Sequence, residues 1–143
     1  MSDPLYKTSL LRLAADAAGA GRLVEPHATG TMHNPACGDR VTVDLAFEDG
    51  RIAGIAFETK ACVLTQASAS ILGADAAGLN RAEVAALRDT VAKMLAAGDE
   101  PPAAPFNTYR HFDGVAEHKA RHRCVLLPIE AMLAAFDAKP EGR

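Results

Sequence analysis

The stretch Asn34-Pro35-Ala36-Cys37-Gly38-Asp39-Arg40 places a thiol, a glycine and a carboxylate within three residues. Proline fixes the chain's entry and glycine permits a tight turn, so Cys37 and Asp39 are expected on an irregular corner, presented outward. A thiol and a carboxylate on one corner make half a metal site, or an acid/base-assisted thiol. The other half must come from elsewhere, and the chain has only two more cysteines, Cys62 and Cys124. Thiols near cations or at helix N-termini ionise more readily, and thiolates are both ligands and nucleophiles. Lys60 stands near Cys62, and Arg121 and Arg123 stand near Cys124. Against this, a lone cysteine is often buried simply to fill space, and no two of the three have the close spacing of a zinc ribbon.

Elements must bring these residues together. Asp3-Pro4 offers an N-cap and a first-turn proline for an opening helix with Leu10, Leu13, Ala14 and Ala17 on one face, ended by Gly19 and Gly21. Glu25 to His33 is ambiguous; Pro26 makes any strand there an edge strand. Val41, Val43, Leu45 and Phe47 alternate with polar or small residues and predict a strand. Asp49-Gly50 then signals a two-residue hairpin turn, because both central positions of a type I′ turn need positive φ. A third strand follows with Ala53, Ile55 and Phe57 on one face; Ile52 is out of phase, which suggests a bulge. The hairpin sets Cys37, before one strand, beside Cys62, after its partner. It says nothing of Cys124.

Past Cys62, the stripe Val63, Leu64, Ala67, Ile71 and Leu72 predicts a helix closed by Gly78, whose small Ser68, Ala69 and Ser70 let a neighbour approach. Asn80 and Glu83 form a capping box for a helix running to about Ala97, with Gly98 as its stop. Residues 99–105 are a proline-rich loop. Residues 106–123 are weakly patterned and receive no assignment; they end in the basic run His118 to Arg123. Val125 to Phe136 predicts a last helix, with Pro128 tolerated in its first turn, and 139–143 is expected to be a frayed tail. The expectation is one α+β domain, 1–143: a three-stranded antiparallel sheet packed against helices on one face, with the metal site at one end.

Composition narrows the function. Hydrophobic residues make up 49% of the chain, but thirty are alanine and there is no tryptophan, so the core is thin in large side chains. A net charge of −3 argues against a nucleic-acid surface, which needs a basic excess. Neither a signal peptide nor an apolar run long enough for a bilayer is visible, which points to a cytoplasmic protein with three thiols rather than disulfides.

Taken in order, Asn34-Pro35-Ala36-Cys37-Gly38-Asp39, then Ala61-Cys62 with Ala67-Ser68-Ala69-Ser70, then Arg121-His122-Arg123-Cys124, the chain resembles the U-type iron–sulfur cluster scaffolds. That group includes IscU, SufU and the NifU N-terminal domain. The alanine-serine run, Arg121 and the long gap between Cys62 and Cys124 are most similar to the SufU branch. The resemblance implies a scaffold that accepts sulfur from a pyridoxal-phosphate cysteine desulfurase (SufS/IscS-like), builds a transient [2Fe–2S] or [4Fe–4S] cluster and passes it to recipient apo-proteins. It equally implies the branch's alternative, a Zn2+-dependent sulfur acceptor that activates the desulfurase. By position, Cys37, Asp39, Cys62 and Cys124 match the family's ligands. Cys124 is the candidate persulfide acceptor, Cys62 the alternative, and Arg121 a stabiliser of the thiolate or persulfide. The chain departs from IscU in two places. Arg123 stands where IscU has a histidine. Pro101-Pro102 is followed by alanines, which puts docking of a dedicated Hsp70-type chaperone in doubt.

Two histidines compete for the ligand role. His33 lies close to Cys37, but a loop histidine more often makes ordinary hydrogen bonds. His122 is two positions from Cys124 and would point elsewhere on a helix.

Overall fold

A computed structural model describes residues 7–35 and 38–138. The proposed cap at Asp3-Pro4 and the tail 139–143 lie outside the described residues.

The sheet is an antiparallel meander in the order β1-β2-β3, with β1 Ala28–Asn34, β2 Asp39–Glu48 and β3 Arg51–Lys60. The β2–β3 turn has positive φ at both Asp49 (53°) and Gly50 (77°), as the type I′ geometry requires. The bulge is present too. Ala46 pairs with Gly54 but Phe47 pairs with Ile52, so Ala53 has no partner. This extra residue turns Ile52 inward, where it is buried, and leaves Ala53 exposed. The meander carries the two ends that matter to one edge: Asn34 faces Asp39, and Arg40 faces Lys60.

The inward face of β2 is Asp39, Val41, Val43 and Leu45, all buried. Against that face pack α2 (Val63–Asp75) and α4 (Lys119–Ala138), with α1 (Thr8–Asp16) behind α2 and α3 (Arg81–Ala97) behind α4. The approach of α4 to β1 is close enough to require glycine. A Cβ on Gly30 would meet the Ala131 carbonyl oxygen at 2.4 Å and the Ala135 nitrogen at 2.5 Å. The opposite face is covered in part by irregular chain. Residues 19–21 pair with β3 at Phe57, and residues 78–79 pair with it at Ile52, so the outer edge of β3 is occupied at both ends. Beneath this chain Asp44 is fully buried and accepts hydrogen bonds from Arg22, the Leu23 N–H and Thr29. Burial alone would raise the Asp44 carboxyl; these donors outweigh it and hold its pKa below the usual value.

Asn80 and Glu83 form the expected capping box, and Gly98 ends α3 in the left-handed conformation. Three expectations are corrected, and the unassigned stretch 106–115 takes a form. Helix α1 ends at Asp16, where Ala17 itself takes the left-handed position (φ 45°), ahead of Gly19. Helix α2 ends at Asp75 with Ala76 as its C-cap, ahead of Gly78. Phe106–Val115 is a 3-10 helix that buries Phe106, Tyr109, Phe112 and Val115; its threefold spacing carries no α-helical signature. And α4 starts at Lys119, not Val125, so Pro128 lies in its interior and Cys124 in its second turn. No helix of the described residues is long and apolar enough to cross a membrane.

Candidate metal centre

Asp39 comes from the first position of β2, just beyond the corner opened by Asn34 and Pro35. Its phase along the strand turns it to the helical side with Val41 and Val43, so it is buried there and not presented outward as its place on a corner had suggested. Cys62 is the N-cap of α2, in extended conformation (φ −69°, ψ 168°), where the hairpin's last strand gives way to helix. Cys124 is contributed by α4, which lies along the same sheet face. One carboxylate oxygen of Asp39 and the sulfurs of Cys62 and Cys124 all lie within 4.8 Å of one another. Asp39 and Cys124 are buried; Cys62 is half-buried. Cys37 lies outside the described residues.

A tetrahedral ion bound at about 2.0–2.3 Å needs neighbouring ligand atoms roughly 3.5–4 Å apart. The three ligand atoms, none more than 4.8 Å from another, stand close to that spacing. Two thiol sulfurs with one carboxylate oxygen are a donor set suited to zinc or to iron–sulfur chemistry. The fit is therefore chemical as well as spatial.

The polar contacts between these groups decide how each is presented. The Asp39 carboxylate faces the start of α2: Oδ1 accepts the Cys62 N–H at 3.3 Å, and Oδ2 lies 3.3 Å from the Thr65 hydroxyl. Helix α2 has no side-chain cap of its own. Asp39 supplies one from another element, an anion at the positive end of the helix. Asn34 Nδ2 donates to the Cys124 sulfur at 3.7 Å. The Cys62 sulfur lies 3.6 Å from the Thr65 hydroxyl. These contacts shift the Cys62 thiol from its ordinary 9.0 to about 6. The largest cause is the hydrogen bond from Cys124, opposed by burial; bonds from Thr65 add to the lowering, and Asp39 works against it.

Helix α2 is bound to α4 by two hydroxyls as well as by apolar packing. Thr65 Oγ1 donates to the Cys124 carbonyl at 2.9 Å, and Ser68 Oγ donates to the Val125 carbonyl at 2.7 Å. Ser68 also meets the hydroxyl of the fully buried Tyr109 at 2.8 Å, which ties the 3-10 helix into the same junction. The bond to Cys124 follows from Pro128. The residue four places after Cys124 would ordinarily donate its N–H to that carbonyl, and proline has none.

Of the remaining sequence candidates, Arg121 is half-buried in the first turn of α4, three residues before Cys124. Lys60 is exposed at the end of β3 beside Arg40. His33 is exposed on β1, and His122 turns away from the cluster to meet the Ala116 carbonyl at 3.0 Å. Sequence reasoning passed over Thr65, Asn34 and Pro128. The signals were there: Thr65 stands one helical turn after Cys62, and Pro128 four residues after Cys124.

The profile of the NifU-like N-terminal domain matches residues 5–124 of the chain. The iron–sulfur cluster assembly scaffold protein IscU of Streptococcus pyogenes serotype M1 is 28% identical over 105 residues, which is 73% of this chain and 66% of that protein. The zinc-dependent sulfurtransferase SufU of Bacillus subtilis (strain 168) is 24% identical over 111 residues, 78% of this chain and 75% of that protein. The crystal structure of the N-terminal part of a nitrogen-fixing NifU-like protein from Brucella abortus superposes with a TM-score of 0.91. It is 34% identical, and the match covers 99% of this chain and 98% of that one.

Proposed function

The chain belongs to the NifU-like N-terminal domain family, and on that premise we propose that it is an iron–sulfur cluster assembly scaffold. Residues 1–143 would act as one scaffold domain. The observation that carries the reading is the convergence of Asp39, Cys62 and Cys124 from three different elements at one end of the sheet. The cluster is cargo. Cys37, Cys62 and Cys124 hold it through sulfur, and Asp39 holds it through oxygen. A carboxylate is a harder ligand than a thiolate and binds a soft cluster less firmly, so the cargo leaves on that side.

Sulfur arrives as the persulfide of a cysteine desulfurase. A scaffold thiolate attacks the outer sulfur of that persulfide; the S–S bond breaks, the donor cysteine leaves as a thiolate, and the scaffold carries the new persulfide. Of Cys62 and Cys124, Cys62 is the more accessible and has the lowered pKa, which supports it as the first acceptor. Cys124 then takes the part of a buried hydrogen-bond donor and ligand. Arg121, one turn ahead on α4, would balance negative charge at the loaded site. Ferrous iron and electrons come from other proteins, and recipient apo-proteins take the finished cluster.

The similarity to a zinc-dependent sulfurtransferase and the suitability of the donor set favour one second reading, in which zinc is resident. The same residues would hold it. Bound zinc would keep the thiols deprotonated, and the chain would serve as a sulfur acceptor for the desulfurase.

The test is anaerobic reconstitution with a cysteine desulfurase, cysteine and ferrous iron, followed by addition of an apo-ferredoxin. Cluster formation on the chain and its transfer support the scaffold. Retained zinc with faster desulfurase turnover and no cluster supports the sulfur acceptor instead.

A further inference from the structure

We propose that Thr65 is a positioning residue that sets how readily Asp39 engages the cargo, and that Pro128 is what leaves Thr65 divided between two tasks. The inference rests on the reading of Asp39 as the exchangeable ligand. It starts from one proton with three acceptors in reach, of which the Cys62 sulfur, at 3.6 Å, is the most distant and the two oxygens are nearer. The Thr65 side chain is fully buried, and its hydroxyl lies 2.9 Å from the Cys124 carbonyl and 3.3 Å from Asp39 Oδ2. A threonine hydroxyl donates once. When it points to Asp39, the carboxylate is held on α2 by two donors, Thr65 Oγ1 at one oxygen and the Cys62 N–H at the other. When it points to Cys124, Asp39 keeps only the amide from this pair and is freer to turn toward the cargo.

The Cys124 carbonyl competes for that proton because Pro128 cannot supply the helical N–H to it. Thr65 and Pro128 thus sit on different helices and act on one carbonyl. Substitutions at the two positions have opposite signs. Thr65→Val removes the hydroxyl at nearly constant volume, so Asp39 binds metal more tightly. Pro128→Ala provides an N–H to the Cys124 carbonyl, leaves the Thr65 proton for Asp39, and loosens metal binding. A hydroxyl that merely packs α2 against α4 would make both variants change in the same direction.

The experiment measures zinc affinity by competition with a chromophoric chelator, and the rate of cluster transfer to apo-ferredoxin, in wild type, Thr65→Val, Thr65→Ser, Pro128→Ala, Asp39→Ala and Thr65→Val/Asp39→Ala. Loss of one hydrogen bond to a buried carboxylate changes either quantity by about tenfold. Thr65→Val tightens zinc binding and slows transfer by about that factor; Pro128→Ala does the reverse; Thr65→Ser matches wild type. In the Asp39→Ala background Thr65→Val has no further effect. The inference is overturned if the Thr65→Val effect persists without Asp39, or if both variants shift affinity the same way. Amide exchange at Cys62 in the metal-free protein separates this from the function itself. Thr65→Val lowers protection there, because the carboxylate that accepts the Cys62 N–H is held less firmly, and unchanged protection overturns the inference. If wild type takes neither cluster nor zinc, the functional reading fails while the exchange result still judges the Thr65–Asp39 coupling.

Discussion

Ionisation of Cys62 can be followed directly in the metal-free protein. Its thiol is drawn from 9.0 to about 6, chiefly by the hydrogen bond from Cys124. At pH 7 such a group is about 90% thiolate, against about 1% for an ordinary thiol. The gain in rate is smaller than that ratio, because nucleophilicity falls with basicity. With a Brønsted slope of about 0.4–0.5, the shift costs roughly 20-fold in intrinsic reactivity. The net advantage at pH 7 is about fourfold, and above about pH 7.7 Cys62 is the slower thiol. The assay is iodoacetamide labelling over a range of pH, with the Cys62 peptide quantified by mass spectrometry. The rate should plateau early, with a midpoint near 6. Cys124→Ala removes the principal donor and moves the midpoint up; Asp39→Asn removes an opposing influence and moves it down. A midpoint at the ordinary thiol value in wild type, or one that Cys124→Ala leaves in place, would refute the hydrogen-bond account. The sign for stability follows. Between about pH 6 and pH 9 the unfolded thiol keeps its proton and the folded one has lost it. The metal-free protein therefore gains stability as pH rises through that window, and loses the contribution as pH falls through the folded pKa.

Three further outcomes concern the frame around the site. Gly30→Ala forces a methyl group into the α4 backbone at Ala131 and Ala135, and should cost about 3 kcal/mol in thermal or urea unfolding; an unchanged melt would mean that α4 does not lie so close to β1. Arg22→Ala leaves the buried Asp44 carboxylate with fewer donors and should lower the urea midpoint at pH 7. That difference should shrink below about pH 4, because a carboxylate with a lowered pKa loses its contribution as it protonates; a pH-independent difference would contradict it. Asn80→Ala removes half of the capping box and should cost about 1 kcal/mol, read as a lower urea midpoint at constant m.

The sheet and the first two parts of the site were legible because their signals are local. Asp49-Gly50 fixes the hairpin, the hairpin fixes which strand ends meet, and Asp39 and Cys62 sit at those ends. The capping box at Asn80 was equally local. The approach of Cys124 depends on α4 crossing the sheet at Gly30, a long-range contact with no local pattern. The start of α4 was missed because His118 to Arg123 has no apolar stripe, and because a proline reads more readily as a helix start than as an interior residue. Thr65 escaped notice for a related reason. In an apolar stripe a threonine looks like packing, and its partner, the Cys124 carbonyl, becomes an acceptor for it only through a proline on another helix.

The most direct test of the account is the iron, acid-labile sulfide and zinc content of anaerobically reconstituted wild type and Cys62→Ser. The account predicts iron and sulfide in equal amounts on the wild type, with a visible sulfur-to-iron charge-transfer band, and the loss of both in Cys62→Ser. Full retention of metal by Cys62→Ser would contradict a shared site built from Asp39, Cys62 and Cys124.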